Sequence, residues 1–245
     1  MKKLHIIIWL LALIFLSCDN KKDHIVKNDL YLANLKGKIK SVLLEDFFLG
    51  DSTQLRYSLF TKYDSLGNRI YYKFGGAIVG ESIINNQYDK DEKLMKKEEV
   101  SLSDQSLNTT SIYSYENNLL KEITDMDVTS KIIAKYFFDD SENEVKSEKY
   151  RNGGVYQTTL KTYNNVGNLI LKERLDSNKT LKKRYTYKYT NNALIESTEL
   201  STKNNNSIKI EYKESNYDEN KNWLERIEIE NGDTRIVKRK IEYFQ

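Results

Sequence analysis

One short unit recurs along the chain and limits the folds that the chain can adopt. The stretch from Phe60 to Lys73 shows it in full: an apolar run closing on Tyr63-Asp64, a turn at Gly67-Asn68, and a second run that starts at Ile70. Two alternating runs joined by a short turn of this type are typical of a β-hairpin. The same order of residue types returns, in degraded form, down to the C-terminus. The sequence therefore predicts a row of hairpins.

Seven aromatic residues mark the unit, at intervals of 23 to 28 residues. They are Tyr63, Tyr88, Tyr115, Phe138, Tyr163, Tyr189 and Tyr217. A nearly constant period of this size indicates a repeat architecture. Each aromatic is followed by Asp, by Asn or by a short polar cluster, and such residues start turns by bonding the backbone two residues further on.

The turns differ in their residues. Gly67-Asn68 and Gly167-Asn168 supply residues that tolerate positive φ. Asn117-Asn118 and Asn191-Asn192 predict shortened turns without glycine, since asparagine also adopts that conformation. The units at Tyr115, Phe138 and Tyr189 lack the glycine, so we expect less regular strand pairing there.

Period-two alternation runs through the strands, as a half-buried antiparallel sheet requires. Leu59, Thr61 and Tyr63 share one face, and so do Ile70, Tyr72 and Phe74. Further rows that share a face are Tyr185, Tyr187 and Tyr189, and Trp223, Glu225, Ile227 and Ile229.

The first and last elements complete the predicted body. A short helical or irregular lead-in over 30–35 precedes a first strand over 39–48, which ends at Gly50-Asp51. Asn231-Gly232 is a strong two-residue hairpin turn before a closing strand over 235–244. The fold class we predict is an all-β antiparallel meander of repeated hairpins. The pattern allows a twisted open sheet, a partly closed barrel or a spiral.

The N-terminus is typical of an export signal. Met1-Lys2-Lys3 is basic, and the apolar run over 4–16 is too short to span a membrane comfortably. The run ends at Ser17-Cys18, which resembles a bacterial lipoprotein box; the alternatives are an uncleaved anchor and an ordinary signal peptide. The resemblance implies cleavage before Cys18 and acyl chains on that residue, which hold the protein on a membrane. We thus predict a signal peptide over 1–17, the lipidated cysteine and a flexible tether over 18–29, and the repeat domain over 30–245.

Cysteine and histidine counts exclude several chemistries from the repeat domain. Cys18 is the only cysteine, and the only histidines are His5 and His24. A metal site with Cys or His ligands and a Ser-His or Cys-His nucleophile therefore cannot form after residue 29. The chain carries 39 Lys and Arg against 36 Asp and Glu, which leaves no nucleic-acid footprint. We predict no catalytic residue, cofactor or metal.

Two units carry a family resemblance. Tyr63-Asp64-Ser65-Leu66-Gly67-Asn68-Arg69-Ile70 and the stretch over 163–170 resemble the YD repeat, also called the RHS repeat. The stretches over 35–42 and 217–243 are similar to the two ends of small YD-repeat lipoproteins of the Bacteroidetes type. The resemblance implies β-hairpin repeats over 35–245. In the large members such repeats form a shell around a toxin domain, and seven repeats are too few for that.

Several functions fit these features. The first is a non-catalytic binding or structural module in the cell envelope, anchored to the outer membrane on its periplasmic or surface face. Its partner would be a glycan, a cell-wall component or a protein, since tyrosine rings can stack on sugars; the same rings also serve simply to pack a sheet. The second is a carboxylate-dependent hydrolase, for which the candidate acidic pairs are Glu45-Asp46, Glu98-Glu99 and Asp139-Asp140. The third is an immunity or accessory protein of a toxin system.

Two further positions have alternative interpretations. Trp223 either packs in the core or cap or offers an exposed platform for a ligand. The acidic turn over 139–144 either is simply solvated or holds calcium, although it lacks the glycine and spacing of an EF-hand loop.

Overall fold

The structure is a computed structural model, and it describes residues 28–33, 35–47, 54–76 and 79–245. The predicted signal peptide, Cys18, the tether up to residue 27, and the strand end at Phe48 and Gly50-Asp51 lie outside the described residues. No helix in the described ranges is long and apolar enough to cross a membrane.

Sixteen antiparallel strands form a closed barrel in which each strand pairs with its neighbours in sequence and β1 pairs with β16. The strands are β1 (Ile39–Phe47), β2 (Leu55–Tyr63), β3 (Arg69–Gly76), β4 (Gly80–Tyr88), β5 (Leu94–Ser101), β6 (Thr109–Glu116), β7 (Leu119–Asp127), β8 (Ile132–Phe138), β9 (Glu144–Arg151), β10 (Gly154–Tyr163), β11 (Leu169–Asp176), β12 (Leu181–Thr190), β13 (Ala193–Ser201), β14 (Asn206–Tyr217), β15 (Trp223–Glu230) and β16 (Asp233–Tyr243). One short helix, α1 (Asp29–Leu32), precedes β1, and a 3-10 helix (Gln105–Leu107) joins β5 to β6. The all-β meander is confirmed. The barrel is fully closed, where the sequence left an open or partly closed sheet as alternatives.

Every one of the seven marker aromatics lies at or next to the end of an even-numbered strand. In six of them the strand register shifts just before the aromatic, in units with and without glycine alike. The irregular pairing expected at Tyr115, Phe138 and Tyr189 is present, but it is not confined to the units without glycine. A bulge at the same place in these six repeats bends the strand there.

One five-residue turn explains why glycine is dispensable. In the turn that starts at Asp64, the Asp64 carboxylate accepts hydrogen bonds from the backbone N–H groups of Leu66 and Asn68, and Gly67 has φ +82°. The fourth position has positive φ in all seven turns of this type, yet only two of them have glycine there. The residues at this position are Gly67, Glu92, Ser130, Glu142, Gly167, Lys179 and Lys221. The side chain of the first residue holds each turn, so the backbone adopts the left-handed conformation without glycine.

Asparagine occupies the shorter turns as predicted. Asn117-Asn118 and Asn191-Asn192 have positive φ at both residues, and Asn231-Gly232 does too. Asn68 and Asn168 are not among the positive-φ residues, so their predicted role is wrong. The Asn68 side chain instead donates a hydrogen bond to the hydroxyl of Tyr88, one repeat further on.

The two faces of the wall differ in burial. Along β12 exposed and half-buried residues alternate without a break, with Tyr185, Tyr187 and Tyr189 on the half-buried face. The register places these tyrosines in line with Val42 and Thr61, which are buried. In a closed barrel the less exposed face is the one that lines the lumen.

The main apolar cluster lies at the end where the even strands finish. Its buried members are Leu30, Leu35, Ile39, Val42 and Tyr63, with Ala33, Ile241 and Tyr243 against them. The segment over 28–38 enters this end of the barrel and supplies two of those side chains. We call this end the packed end, and the opposite one the cavity end. The tether was predicted to run to residue 29, but Asn28 and Asp29 already belong to the packed end: the Asn28 amide donates to the Leu66 carbonyl and Asp29 starts α1.

Candidate binding site at the cavity end of the barrel

A cavity of about 200 Å³ opens at the cavity end, between β10, β11 and β12. The residues that line it are Tyr156, Gln157, Arg174, Leu175, Asp176, Lys182 and Lys183. Its polar side chains come from three adjacent strands, and an aromatic ring stands beside them. Such a mixture is typical of ligand-binding pockets.

Strand register sets these side chains in place. Gln157 pairs with Asp176 and Arg174 pairs with Lys183, so all four share the lumen face. Tyr156 falls in the register shift between Val155 and Gln157 and lines the cavity. The ring is 38% exposed, and the guanidinium carbon of Arg151 lies 4.8 Å from its centroid.

Hydrogen bonds hold the polar groups of the cavity. Arg174 Nη2 donates to Gln157 Oε1 at 2.6 Å. Lys182 Nζ forms an ion pair with Asp176 Oδ2 at 2.8 Å, and Lys183 forms one with Glu199. The Lys182 contact and two backbone N–H groups lower the pKa of the Asp176 carboxyl, whose bond to Lys182 is the largest cause. The Asp176 carboxyl is thus ionised at neutral pH, and both Asp176 and Glu199 are already paired.

Below the cavity the lumen wall carries a tyrosine row. Lys172 Nζ lies 4.7 Å from the ring centroid of Tyr185. Burial raises the pKa of Tyr187 to about 12, so its hydroxyl stays protonated and can donate a hydrogen bond at neutral pH. Rigid rings with a polar end beside a cation can contact both the face and the hydroxyl groups of a polar ligand.

Four of the marker tyrosines, in contrast, connect one repeat to the previous one. The hydroxyls of Tyr115, Tyr163 and Tyr189 donate to the carbonyl oxygens of Leu94, Glu144 and Leu169. Tyr88 bonds the carboxylate of Asp64 in the same sense. These rings pack the wall, as one of the two sequence interpretations holds, whereas Tyr156 lines the cavity.

Trp223 is buried, with 5% of its surface exposed. The guanidinium carbons of Arg226 and Arg239 lie 4.6 and 3.5 Å from its ring centroid. Burial lowers the pKa of Arg239 to about 10, with a further lowering by Arg226. Trp223 therefore packs in the body, and the interpretation as an exposed platform is wrong.

The acidic pairs suggested for a hydrolase do not act together. Successive residues of a strand point to opposite faces, so Glu98 pairs with Lys96 outside while Glu99 accepts from the Tyr72 hydroxyl inside. Asp139 accepts from the N–H groups of its own turn, and Asp140 is exposed and pairs with Lys121. Neither pair can flank a substrate bond.

Two inward carboxylates do lie near each other on the lumen wall. Asp46 and Glu228 are both nearly buried, and Arg235 contacts both, with its Nε 3.7 Å from Asp46 Oδ1. Burial raises the pKa of the Asp46 carboxyl, although Arg235 and Arg56 act in the opposite direction. Asp46 and Glu228 are far apart in the sequence. Closure of the barrel through β16 brings them together.

No group of three or more His, Cys, Asp or Glu residues within the described ranges could hold a metal ion. In the 139–144 turn, the Asp139 carboxylate accepts from two backbone N–H groups and the Asn143 amide. Its role there is to hold the turn.

Sequence reasoning missed Tyr156, Gln157, Arg174 and Lys183. The alternating pattern does not show that Arg174 points inward and Arg184 outward. Only the strand register shows it.

Tyr243 was also missed, although the sequence carries a signal for it: Tyr243 follows Tyr217 by one repeat length and ends β16. Its hydroxyl bonds Asp218 and Asn222, so it is an eighth marker aromatic.

The outer wall is charged at mid-height. Glu173 pairs with Arg184 at 2.7 Å, and Glu196 pairs with both Lys188 and Lys209 at 2.7 and 3.1 Å. Further outward pairs are Glu45–Lys240, Lys96–Glu98, Lys135–Glu122 and Lys146–Glu148.

No protein-family model matches the chain, and no curated protein matches it. Among solved structures, a porin-like protein from Bacteroides uniformis is similar, with 13% identity and a TM-score of 0.52 over 83% of this chain and 96% of that one. A porin-like protein from Bacteroides vulgatus has 10% identity and a TM-score of 0.40, covering 85% and 99%. A TcdB2-TccC3 toxin-complex chain has 17% identity and a TM-score of 0.36, covering 66% and 9%. At these identities only the barrel fold of the first is informative.

Proposed function

We propose that this protein is a lipid-anchored, non-catalytic binding module of the cell envelope, and that the cavity end of its barrel binds a glycan. The observation that carries the proposal is the cavity between β10, β11 and β12, where an exposed ring stands beside fixed hydrogen-bonding groups. A sugar offers a flat apolar face and a rim of hydroxyls, which match a tyrosine ring and amide, ammonium and guanidinium groups.

The outer wall supports a barrel that stands in water next to a membrane. Each charged side chain at the middle of a bilayer costs about 2–4 kcal/mol for Lys or Arg, and the ion pairs of β11 to β14 lie at mid-strand. Acyl chains on Cys18 would then provide the attachment, which the barrel itself does not. The expected location is the outer membrane, on its periplasmic or surface face.

Every marker aromatic lies at or next to the end of an even-numbered strand, so the repeat in the sequence corresponds to one hairpin unit in the structure. This correspondence supports the proposed relation to YD repeats.

Membrane attachment is tested by replacing Cys18 with serine in the full chain. We expect the C18S variant to leave the membrane fraction, with the barrel still folded by circular dichroism. Retention of the variant in the membrane fraction would contradict the lipid anchor.

Glycan binding is tested with residues 19–245, since all sixteen strands lie after residue 38. The measurements are an array of neutral and acidic oligosaccharides and a pull-down on peptidoglycan. We expect Tyr156→Ala to weaken binding at least about fivefold, a loss of about 1 kcal/mol. Tyr71→Ala, on the outer wall of β3, is the matched control and should bind normally. Equal binding by both variants, or no binding by the parent chain, would reject the cavity as the site.

The second candidate is a hydrolase that uses Asp46 and Glu228. The raised pKa of Asp46 favours it, because a protonated carboxyl can act as a general acid. Arg235 occupies both groups, which favours a structural ion-pair network. Release of new reducing ends from a bound oligosaccharide, lost in Asp46→Asn, would establish this candidate in place of the first.

A further inference from the structure

The charges on the lumen side of β10 to β12 do not balance. Four cations face the lumen there: Lys161, Lys172, Arg174 and Lys183. Lys161 pairs with Glu144 at 2.6 Å, and Lys183 pairs with Glu199. The acidic group at the rim, Asp176, is taken by Lys182. Two cations are left over.

Those two are Lys172 and Arg174, which lie two residues apart on the same face of β11. Among the described residues, the hydrogen-bond partner of Arg174 is neutral, the Gln157 amide oxygen. Lys172 has no carboxylate within ion-pair distance in the described part of the chain and lies over the Tyr185 ring. Burial lowers the pKa of Lys172, and the nearby Lys161 and Arg174 lower it further, while the carboxylates of Glu144 and Glu199 act in the opposite direction. Lys172 and Arg174 are thus two like charges close together in a partly desolvated place, and among the described residues neither has a carboxylate at ion-pair distance, which is unfavourable.

We propose, on the basis of the glycan-binding function above, that the ligand is an acidic saccharide whose carboxylate is held by Arg174 and Lys172. A guanidinium group can bind a carboxylate through two parallel N–H bonds, and Lys172 adds a charge about two residues deeper in the lumen. The sugar ring then lies against Tyr156 at the mouth. The geometry selects acidic over neutral saccharides because only an anion removes the repulsion between the two cations.

The test compares one saccharide in two charge states. Residues 19–245 are titrated, by calorimetry, with an oligogalacturonate and with its methyl ester, which differ only in the carboxylate charge. We expect the acid to bind at least about tenfold more tightly, and its affinity to fall with rising salt. Arg174→Gln and Lys172→Met should each remove most of that preference. Arg184→Gln, an outward arginine on the neighbouring strand β12, is the matched control and should keep it.

The outcomes of this titration distinguish a failure of the acidic ligand from a failure of glycan binding. Equal affinity for acid and ester would reject the acidic ligand and leave the glycan-binding function in place. Binding of neither saccharide, with no binding on the oligosaccharide array, would reject both. Tight binding of inorganic phosphate that excludes the oligogalacturonate would assign the two cations to a free anion and reject the saccharide.

A spectroscopic readout separates binding from a structural role. Lys172→Met keeps the apolar stem and removes a charge whose pKa is already lowered, so it should fold at least as well as the parent chain. In the parent chain the acid should raise the pKa of the Lys172 ammonium group, as seen by NMR, and the ester should not. An unchanged Lys172 signal in the presence of saturating acid would overturn the assignment.

Discussion

The two ends of the barrel are formed by the same hairpins but differ in what fills them. At the packed end the segment over 28–38 brings Leu30 and Leu35 onto Ile39 and Val42, and Asp29 bonds the Arg69 N–H and Lys97 Nζ. At the cavity end no described segment fills the space between β10 and β12, and polar side chains surround the cavity there. The difference indicates that stability is concentrated at the packed end, and the proposed binding site lies at the other.

The largest expected effect is the loss of a core side chain at the packed end. Ile39 is fully buried, so Ile39→Ala should lower the free energy of unfolding by about 2–5 kcal/mol. Ile132→Ala is the matched control at the cavity end, where Ile132 is 40% exposed, and should cost about 1 kcal/mol or less. Urea denaturation measures both. Similar losses for the two variants would remove the contrast between the ends.

The next effect concerns the fifth position of the repeated turn. At the packed end the Asn222 side chain accepts from the Lys36 N–H and donates to the Lys36 carbonyl and the Tyr243 hydroxyl. Asn222→Ala should therefore cost about 2–3 kcal/mol, since buried partners lose their bonds. Thr180→Ala changes the same position of a cavity-end turn, where the side chain is exposed, and should cost less than about 0.5 kcal/mol. A small loss for Asn222→Ala would show that the N-terminal segment is not fastened there.

Two glycines test crowding at each end. Gly67 and Gly232 have φ of +82° and +90°, so alanine is strained at both. At Gly67 an added Cβ would also lie 2.3 Å from the Asn28 side chain and 3.0 Å from Leu30, whereas nothing lies within 4 Å at Gly232. We expect Gly232→Ala to cost about 1 kcal/mol and Gly67→Ala about twice that, by thermal or urea denaturation. Equal costs would mean that the 28–38 segment does not press on the β2–β3 turn.

The smallest effect is a pH dependence near the cavity end. Burial raises the pKa of Asp46 in the folded chain, so folding takes up a proton between the unfolded and folded pKa values. The contribution of Asp46 to stability is therefore most favourable below that window and declines as the pH rises through it. Relative to Asp46→Asn, the parent chain should gain stability when the pH falls from 7 to 4. A relative loss over that range would show that Arg235 and Arg56 outweigh burial.

Local structure was predictable from the sequence to a large extent. The Tyr63-Asp64 turn, the paired asparagines and the alternation along β12 depend on neighbours within one hairpin, and their conformations are as expected. Glu92, Glu142 and Lys221 show the limit of that reasoning, because their positive φ is imposed by the turn and not by their own preference.

Closure and the site depended on distant partners. Pairing of Leu43 with Lys240 joins residues from opposite ends of the sequence, and no local pattern specifies it. The cavity needs both the register shift at Tyr156 and the inward side of Arg174, which follow from the pairing of three strands. The unbalanced pair of cations depends on which lysines pair with carboxylates in the folded barrel, and no local pattern specifies those pairs.

Hydrogen–deuterium exchange on residues 19–245, with and without oligogalacturonate, tests the division between the two ends most directly. We predict slower exchange on addition of the acid in the cavity-end halves of β10, β11 and β12, and unchanged exchange over 28–38 and at the turn over 218–222. Protection at the packed end with none around Tyr156 and Arg174 would contradict it.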